Sequence, residues 1–110
     1  MDAVEAPADH VACYVYVLGS FGKGGWRTYV GWTNDLDRRL LQHNNGTGAR
    51  STRGRAWTLL YVELHATRGE AMSREWRLKR DRRFRRQFTP AAGEPPRRTR
   101  RARPASPAPA

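Results

Sequence analysis

The stretch "RTYVGWTNDLDRRLLQHNNG", residues 27–46, reads as the end of a strand followed directly by a helix. Its first residues are β-branched or aromatic, the types that fit a pleated, half-buried strand. Asn34 or Asp35 then provides an N-cap, Asp35 and Asp37 place acids in the first turn where the helix dipole favours them, and Asn45-Gly46 supplies the stop. Arg39 and His43, four residues apart, share one helix face, and Tyr29 ends the strand ten residues before Arg39. Three polar side chains are thus placed to converge near the mouth of a sheet, and the stretch raises the choice between a fold element and a site.

Working outward, "CYVYVL" (13–18) is a second β-rich run, and the turn cluster "GSFGKGG" (19–25) between the two runs points to an antiparallel hairpin. Alternation along a strand puts Tyr14 and Tyr16 on one face, and likewise Arg27 and Tyr29. Downstream, "GTGARSTRGR" (46–55) is a Gly- and Arg-rich loop suited to holding a phosphate, followed by a third strand at "WTLLYVE" (57–63). Thr67 and Glu70 form a capping-box pattern that opens a second helix through "AMSREWRLK" (71–79), and "RDRRFRRQF" (80–88) extends it or adds a third. The expected fold is α+β, a three-stranded antiparallel sheet flanked by helices over residues 12–89. Residues 1–11 form an acidic, Ala-rich leader without periodicity. Residues 90–110 are rich in Pro and Arg without one large apolar side chain, so both ends are expected to be disordered.

A chain of 110 residues, 38% apolar and 10% aromatic, accommodates one domain with a small core. Its formal charge of +11 is unevenly spread. Residues 1–67 hold 7 basic and 6 acidic groups, residues 68–90 hold 9 and 3, and residues 91–110 hold 5 and 1. A basic C-terminal half attracts polyanions, phosphate backbones first, unless it serves only as a solvated charge run. The N-terminus has three acids and no basic region, unlike a signal peptide, and "VACYVYVLG" is far shorter than the roughly 18 residues of a membrane span. A cytoplasmic location with no membrane partner is expected. Cys13 is the single cysteine, so no internal disulfide forms, and in an apolar strand it reads as a packed thiol.

Two acids on the second helix are separated by local physics. The capping box accounts for Glu70. Glu75 lies on one face with Ala71 and Leu78, and a carboxylate bordering an apolar stripe must either be paired or bind something. A salt bridge to an arginine and a metal or catalytic role both remain open for it. The tryptophans Trp26, Trp32, Trp57 and Trp76 could stack on bases, but core or rim packing suits most of them better.

Taken in order, "YVYVL" (14–18), "YVG" (29–31), "TNDLDRRLLQHNNG" (33–46) and "GEAMSREWRLK" (69–79) resemble the successive motifs of the GIY-YIG nuclease superfamily. The pattern is most similar to its small single-domain bacterial members, which are themselves similar to the N-terminal nuclease domain of UvrC. The resemblance spans roughly residues 12–88 and implies the same sheet flanked by helices, with metal-dependent cleavage of phosphodiesters. It matches Tyr16 and Tyr29 to the tyrosines of the first two motifs, Arg39 to the helix arginine, His43 to the nearby histidine and Glu75 to the metal-binding glutamate. Arg38 rivals Arg39, and the spacing from Tyr29 favours Arg39. Two departures stand out: the first motif reads Tyr-Val-Tyr, and no Asn follows Asn45 where many members carry one.

With one carboxylate at the site, a single hydrated Mg²⁺ or Mn²⁺ on Glu75 is implied. Arg39 would offset transition-state charge, Tyr29 would take a proton from the attacking water, Tyr16 would orient that water, and His43 would hydrogen-bond Tyr29 or relay the proton. Sheet packing with the hydroxyl at the rim is the structural alternative for both tyrosines. Arg50 and Arg53 in the loop, with Lys79, Arg82 and Arg83 beyond the second helix, are positioned to contact backbone phosphates and carry no base-reading pattern. DNA, or RNA, is therefore the expected partner. Three functions follow: a structure-directed nuclease with weak sequence preference acting in repair or recombination, a non-catalytic nucleic-acid-binding module, and a charge-driven or ribosome-associated adaptor.

Overall fold

Strand β1 (Cys13–Gly22) pairs antiparallel with β2 (Gly25–Thr33) across a two-residue turn at Lys23-Gly24, where Gly24 sits at φ 88. A left-handed φ in so short a hairpin suits glycine. The ladder runs further into the glycine-rich cluster than the sequence suggests, because Phe21 and Trp26 face each other across it with ring centroids 4.9 Å apart. The computed structural model describes residues 12–91 and 100–102. The leader, and the tail except for residues 90–91 and 100–102, lie outside the described residues.

Helix α1 (Leu36–Asn45) starts on Asp35, whose Oδ1 accepts the Arg38 backbone N–H at 3.2 Å, and ends on Gly46. Of the two candidate caps, Asp35 is the one used. Residues Arg50–Thr52 form a single 3₁₀ turn before β3 (Thr58–His65). Helix α2 (Arg68–Arg80) opens on Thr67, whose Oγ1 accepts the Glu70 N–H at 3.1 Å, while Glu70 reaches back to the Ala66 N–H at 3.2 Å. A separate helix, α3 (Arg82–Arg86), follows. The break falls at Asp81, whose carboxylate accepts the Phe84 N–H at 2.9 Å and so starts a new helix.

The sheet order is β2-β1-β3-β4, with β1 antiparallel to both neighbours. The expected three-stranded antiparallel α+β core is therefore present. Its outer edge carries a short fourth strand, β4 (Arg100–Ala102), parallel to β3 and paired from Tyr61↔Arg100 to Glu63↔Ala102. Alternation divides the core in two. Cys13, Val15 and Val17 pack with Val30, Ala71 and Leu78, joined by Phe84 and Phe88, on the α2 and α3 side. Tyr16, Leu18, Trp57 and Val62 pack with Leu36 and Leu40 on the α1 side. The β1–β3 register slips at Val17/Leu18, and Leu60 and Tyr61 consequently both join the α2 and α3 side.

Candidate active site

Tyr16 lies opposite Gly31 in the β1–β2 ladder, and Tyr29 lies opposite Leu18, so both phenols rise from the α1 face. A methyl group on Gly31 would come within 2.5 Å of the Tyr16 hydroxyl, and the missing side chain is what lets the ring lie across β2. Helix α1 then brings in His43, which is 0% exposed. Its ring centroid stands 4.8 Å from that of Tyr29 and 5.8 Å from that of Tyr16. Gly48 permits this approach, since a Cβ there would meet His43 Nδ1 at 2.7 Å.

The hydrogen bonds fix the histidine's protons. Thr52 Oγ1 donates to the Ala49 carbonyl at 2.8 Å, which uses its one hydrogen. His43 Nδ1, 2.9 Å from the same oxygen, must therefore be the donor to it, and His43 Nε2 must carry the lone pair. The Tyr16 hydroxyl, 2.8 Å from Nε2, donates to it. His43 thus bonds Tyr16 and packs its ring against Tyr29; of the two roles weighed from sequence, a bond to Tyr29 or a proton relay, the bond is made to the other tyrosine. Burial, seconded by the Arg39 guanidinium, lowers His43 from 6.5 to about 4, so the ring is neutral at pH 7. Burial likewise raises the Tyr16 phenol well above its ordinary value, with Tyr29 pushing the same way, Arg39 pulling it back by hydrogen bond and charge, and Glu75 adding a further upward push.

Tyr29, Arg39 and Glu75 thus all bear electrostatically on the Tyr16 phenol. Arg39 is half-buried, donates from Nη1 to Gln42 Oε1 at 3.1 Å and draws the Tyr16 phenol down. Arg38 is exposed, and both arginines line an open cleft of about 320 Å³ with Thr33, Asn34, Asp35 and Gln42. The tie to Tyr16 distinguishes Arg39 from its rival. Glu75 enters from α2, which packs on β1 and β2. It is 21% exposed, and its ion-pair partner is Lys79 one turn on, at 3.5 Å, in place of an arginine. A surface pair of this kind is weak and is readily exchanged for a ligand.

Other expected residues stand outside the tyrosine cluster. Arg50 and Arg53 are exposed on and just after the turn that carries Thr52, and Lys79, Arg82 and Arg83 are exposed along α2 and α3. Three supports were not legible in the sequence. Thr52 sits in a loop with no period to mark it. Asn44 exchanges two hydrogen bonds with the Trp57 backbone, and the Trp57 indole donates to the Thr52 carbonyl at 2.8 Å, which holds the turn against α1. Arg55 donates to the carbonyls of Ser20, Lys23 and Gly25, binding the same loop to the hairpin.

Among the described residues, no group of three or more His, Cys, Asp or Glu side chains could enclose a metal. A lone, accessible carboxylate fits an ion that keeps most of its water and is shared with a phosphate, as Mg²⁺ does, and does not fit an all-protein cage. Among the described residues no helix is long and apolar enough to cross a membrane, and the single cysteine, Cys13, makes no disulfide.

In this small α+β domain two phenols, a neutral histidine and an arginine share the α1 side of the sheet, and one half-buried acid, Glu75, stands on α2. The GIY-YIG catalytic domain pattern matches residues 12–87, and the chain belongs to that family of nuclease domains. Members of the family are generally metal-dependent and act on nucleic acids. Similar proteins include a UPF0213 protein of Clostridium perfringens, 44% identical over 68 residues, covering 61% of this chain and 70% of the relative. Another, from Oceanobacillus iheyensis, is 42% identical over 72 residues, covering 64% and 80%. A third, from Streptococcus pneumoniae serotype 4, is 45% identical over 80 residues, covering 68% and 73%. No solved structure matches the chain.

Proposed function

We propose that this domain is a metal-dependent endonuclease that hydrolyses phosphodiester bonds in DNA, directed by structure more than by sequence, in cytoplasmic repair or recombination. The observation that supports it most is the buried Tyr16–His43 pair with Arg39 and Glu75 acting on the same phenol. A phosphodiester resists attack because its oxygens are negative, so charge must be offset while water is activated. Arg39, held by Gln42 in the open cleft, supplies a fixed cation for the transition state. Glu75 would hold Mg²⁺ or Mn²⁺, which supplies positive charge to the phosphate oxygens and hydrated coordination positions.

The proton path is decided by magnitudes. Tyr16 has its hydrogen committed to His43, and the lone pairs of its oxygen accept a hydrogen from the attacking water and orient it. Passing the proton on to His43 near pH 7 would cost about 4 kcal/mol, because that ring sits near 4. His43 is therefore a positioning group, and Tyr29 is the phenol left to take the proton from the attacking water while passing its own hydrogen to solvent. No described side chain hydrogen-bonds the Tyr29 hydroxyl, so it is available to solvent and substrate. Arg38, Arg50, Arg53, Lys79, Arg82 and Arg83 contact phosphates and give affinity without sequence choice.

The Glu75–Lys79 pair favours a second reading, a binding module whose acid is neutralised. A panel of duplex, single-stranded, flap and branched DNAs and RNA, with and without Mg²⁺ or Mn²⁺, separates the two. Metal-dependent cutting of at least one DNA form, lost in Glu75→Ala while binding persists, is expected. Binding without cutting of any form by the intact chain would establish the module.

A further inference from the structure

Trp76 follows Glu75 on α2 and is 57% exposed, an unusual state for the largest apolar side chain. Sequence alone puts core or rim packing ahead of stacking for most of the tryptophans, and the structure excludes core packing for this one. Met72, one turn earlier, is 49% exposed. The Arg80 guanidinium, one turn later, lies 3.8 Å from the Trp76 ring centroid and donates to the Trp76 carbonyl at 3.2 Å. Residues 72, 76 and 80 recur at i, i+4 and so form a stripe, and 72 with 75, and 76 with 79, are i, i+3 neighbours. The stripe therefore runs along the edge of the Glu75–Lys79 pair.

The surroundings say what such a stripe receives. Arg77, Lys79, Arg80, Arg82, Arg83 and Arg86 are all exposed on α2 and α3. A protein partner with an apolar face would bury these cations, whereas a nucleic acid neutralises them with phosphates. An indole with one face occupied by a guanidinium presents the other as a flat platform, and every base has a π-face to lay on it. Bases inside a duplex are already stacked, so only an unpaired base is free to use it.

We propose that Trp76, braced by Arg80 and flanked by Met72, is a stacking platform for an unpaired nucleobase beside the cleaved phosphate, so that this site prefers junctions between paired and single-stranded nucleic acid. This deepens the nuclease reading by naming its substrate class, and it rests on that reading for the cut but not for the binding. Trp76 is a specificity residue in this scheme, distinct from the groups that do the chemistry.

The test is equilibrium binding without divalent metal of the full chain, and of Trp76→Phe and Trp76→Ala, to a fluorescent duplex, single strand and flap. The flap carries 2-aminopurine at its first unpaired position. Trp76→Ala is expected to weaken single-strand and flap binding about tenfold, duplex binding less than twofold, and to relieve the 2-aminopurine quenching seen with the intact chain. Trp76→Phe is expected to retain most of the preference. Equal losses on all three DNAs, or no loss in either variant whose circular dichroism matches the intact chain, would overturn the platform. Cleavage measured alongside separates the claims: cutting without a Trp76-dependent preference removes the platform alone, a preference without cutting removes the nuclease alone, and absence of nucleic-acid binding removes both.

Discussion

Thr52 has one hydroxyl hydrogen, and giving it to the Ala49 carbonyl determines which nitrogen of His43 is bare. Thr52→Val keeps the shape and removes the acceptor, leaving a buried N–H unsatisfied at a cost of about 1–3 kcal/mol. Urea unfolding should show that loss, and cleavage should fall at least tenfold, while Thr52→Ser restores both. Unchanged activity in a folded Thr52→Val would mean that the tautomer is irrelevant. His43 also gives the fold a pH dependence of known sign. Its folded value, about 4, lies below its ordinary 6.5, so on acidification the unfolded chain takes the proton first. Its contribution is complete above pH 6.5 and drains away as pH falls through 6.5 towards 4, by on the order of 3 kcal/mol in all. Denaturation at pH 7 and pH 4.5 should differ accordingly in the intact chain and differ less in His43→Gln. A parallel pH response in that variant would assign the effect elsewhere.

Helix α2 is fastened to the sheet by a buried ion pair one residue before Glu75. Glu63, 2% exposed, accepts Arg74 Nη2 at 2.8 Å and Nε at 3.0 Å, the Tyr61 hydroxyl at 2.5 Å and His65 Nε2 at 2.9 Å. Burial pushes the Glu63 carboxyl up, but the bonds from Arg74, Tyr61 and His65 outweigh it and hold the acid below its usual range. Its neighbour Tyr61 is pushed up to about 12, by burial first and by Glu63 second. Removing one partner of such a pair strands a charge, so Arg74→Met should cost about 3 kcal/mol in urea unfolding, the low end of the range because Arg74 is partly exposed. Glu63→Gln with Arg74→Met should cost less than Arg74→Met alone. The reverse order would show that the pair is not a unit. None of this was visible in the chain, since Glu63 and Arg74 are joined only by the packing of α2 on β3. The elements themselves were legible where local rules decide, as in the Thr67 cap, the first-helix cap narrowed to Asn34 or Asp35 and the Gly46 stop, whereas the shared face of Tyr16 and Tyr29 needed the β1–β2 register. Thr52, Asn44 and Glu63 act through contacts that close only in the tertiary fold, and no period or cap announces them.

At the scale of the whole molecule, charge does what no single contact does. Six cations outside the tyrosine cluster, Arg38, Arg50, Arg53, Lys79, Arg82 and Arg83, are exposed and available to phosphates. If each of these six displaces one counterion from duplex DNA, log K should fall with log salt at a slope of about −5, and more steeply where Arg77, Arg80 and Arg86 also meet phosphates. Arg82→Ala with Arg83→Ala should reduce the steepness by roughly 2 and weaken all sequences alike. Affinity that ignores salt would contradict a phosphate-based surface. Under the nuclease reading, tasks separate by region: positive charge on α2 and α3 would gather the substrate, while neutral His43, the two phenols and Arg39 lie on the α1 side of the sheet.

The decisive measurement is single-turnover cleavage of a flap DNA in Mg²⁺ or Mn²⁺ by the intact chain and by Glu75→Gln, with binding measured in parallel. A fall of about a thousandfold in rate, the size expected when a metal ligand at the reacting phosphate is removed, with affinity held within threefold, is the expected result. Glu75→Gln cutting as fast as the intact chain, or an intact chain that binds the flap and never cuts it, would contradict a hydrolytic site built from Glu75, Arg39 and the two tyrosines.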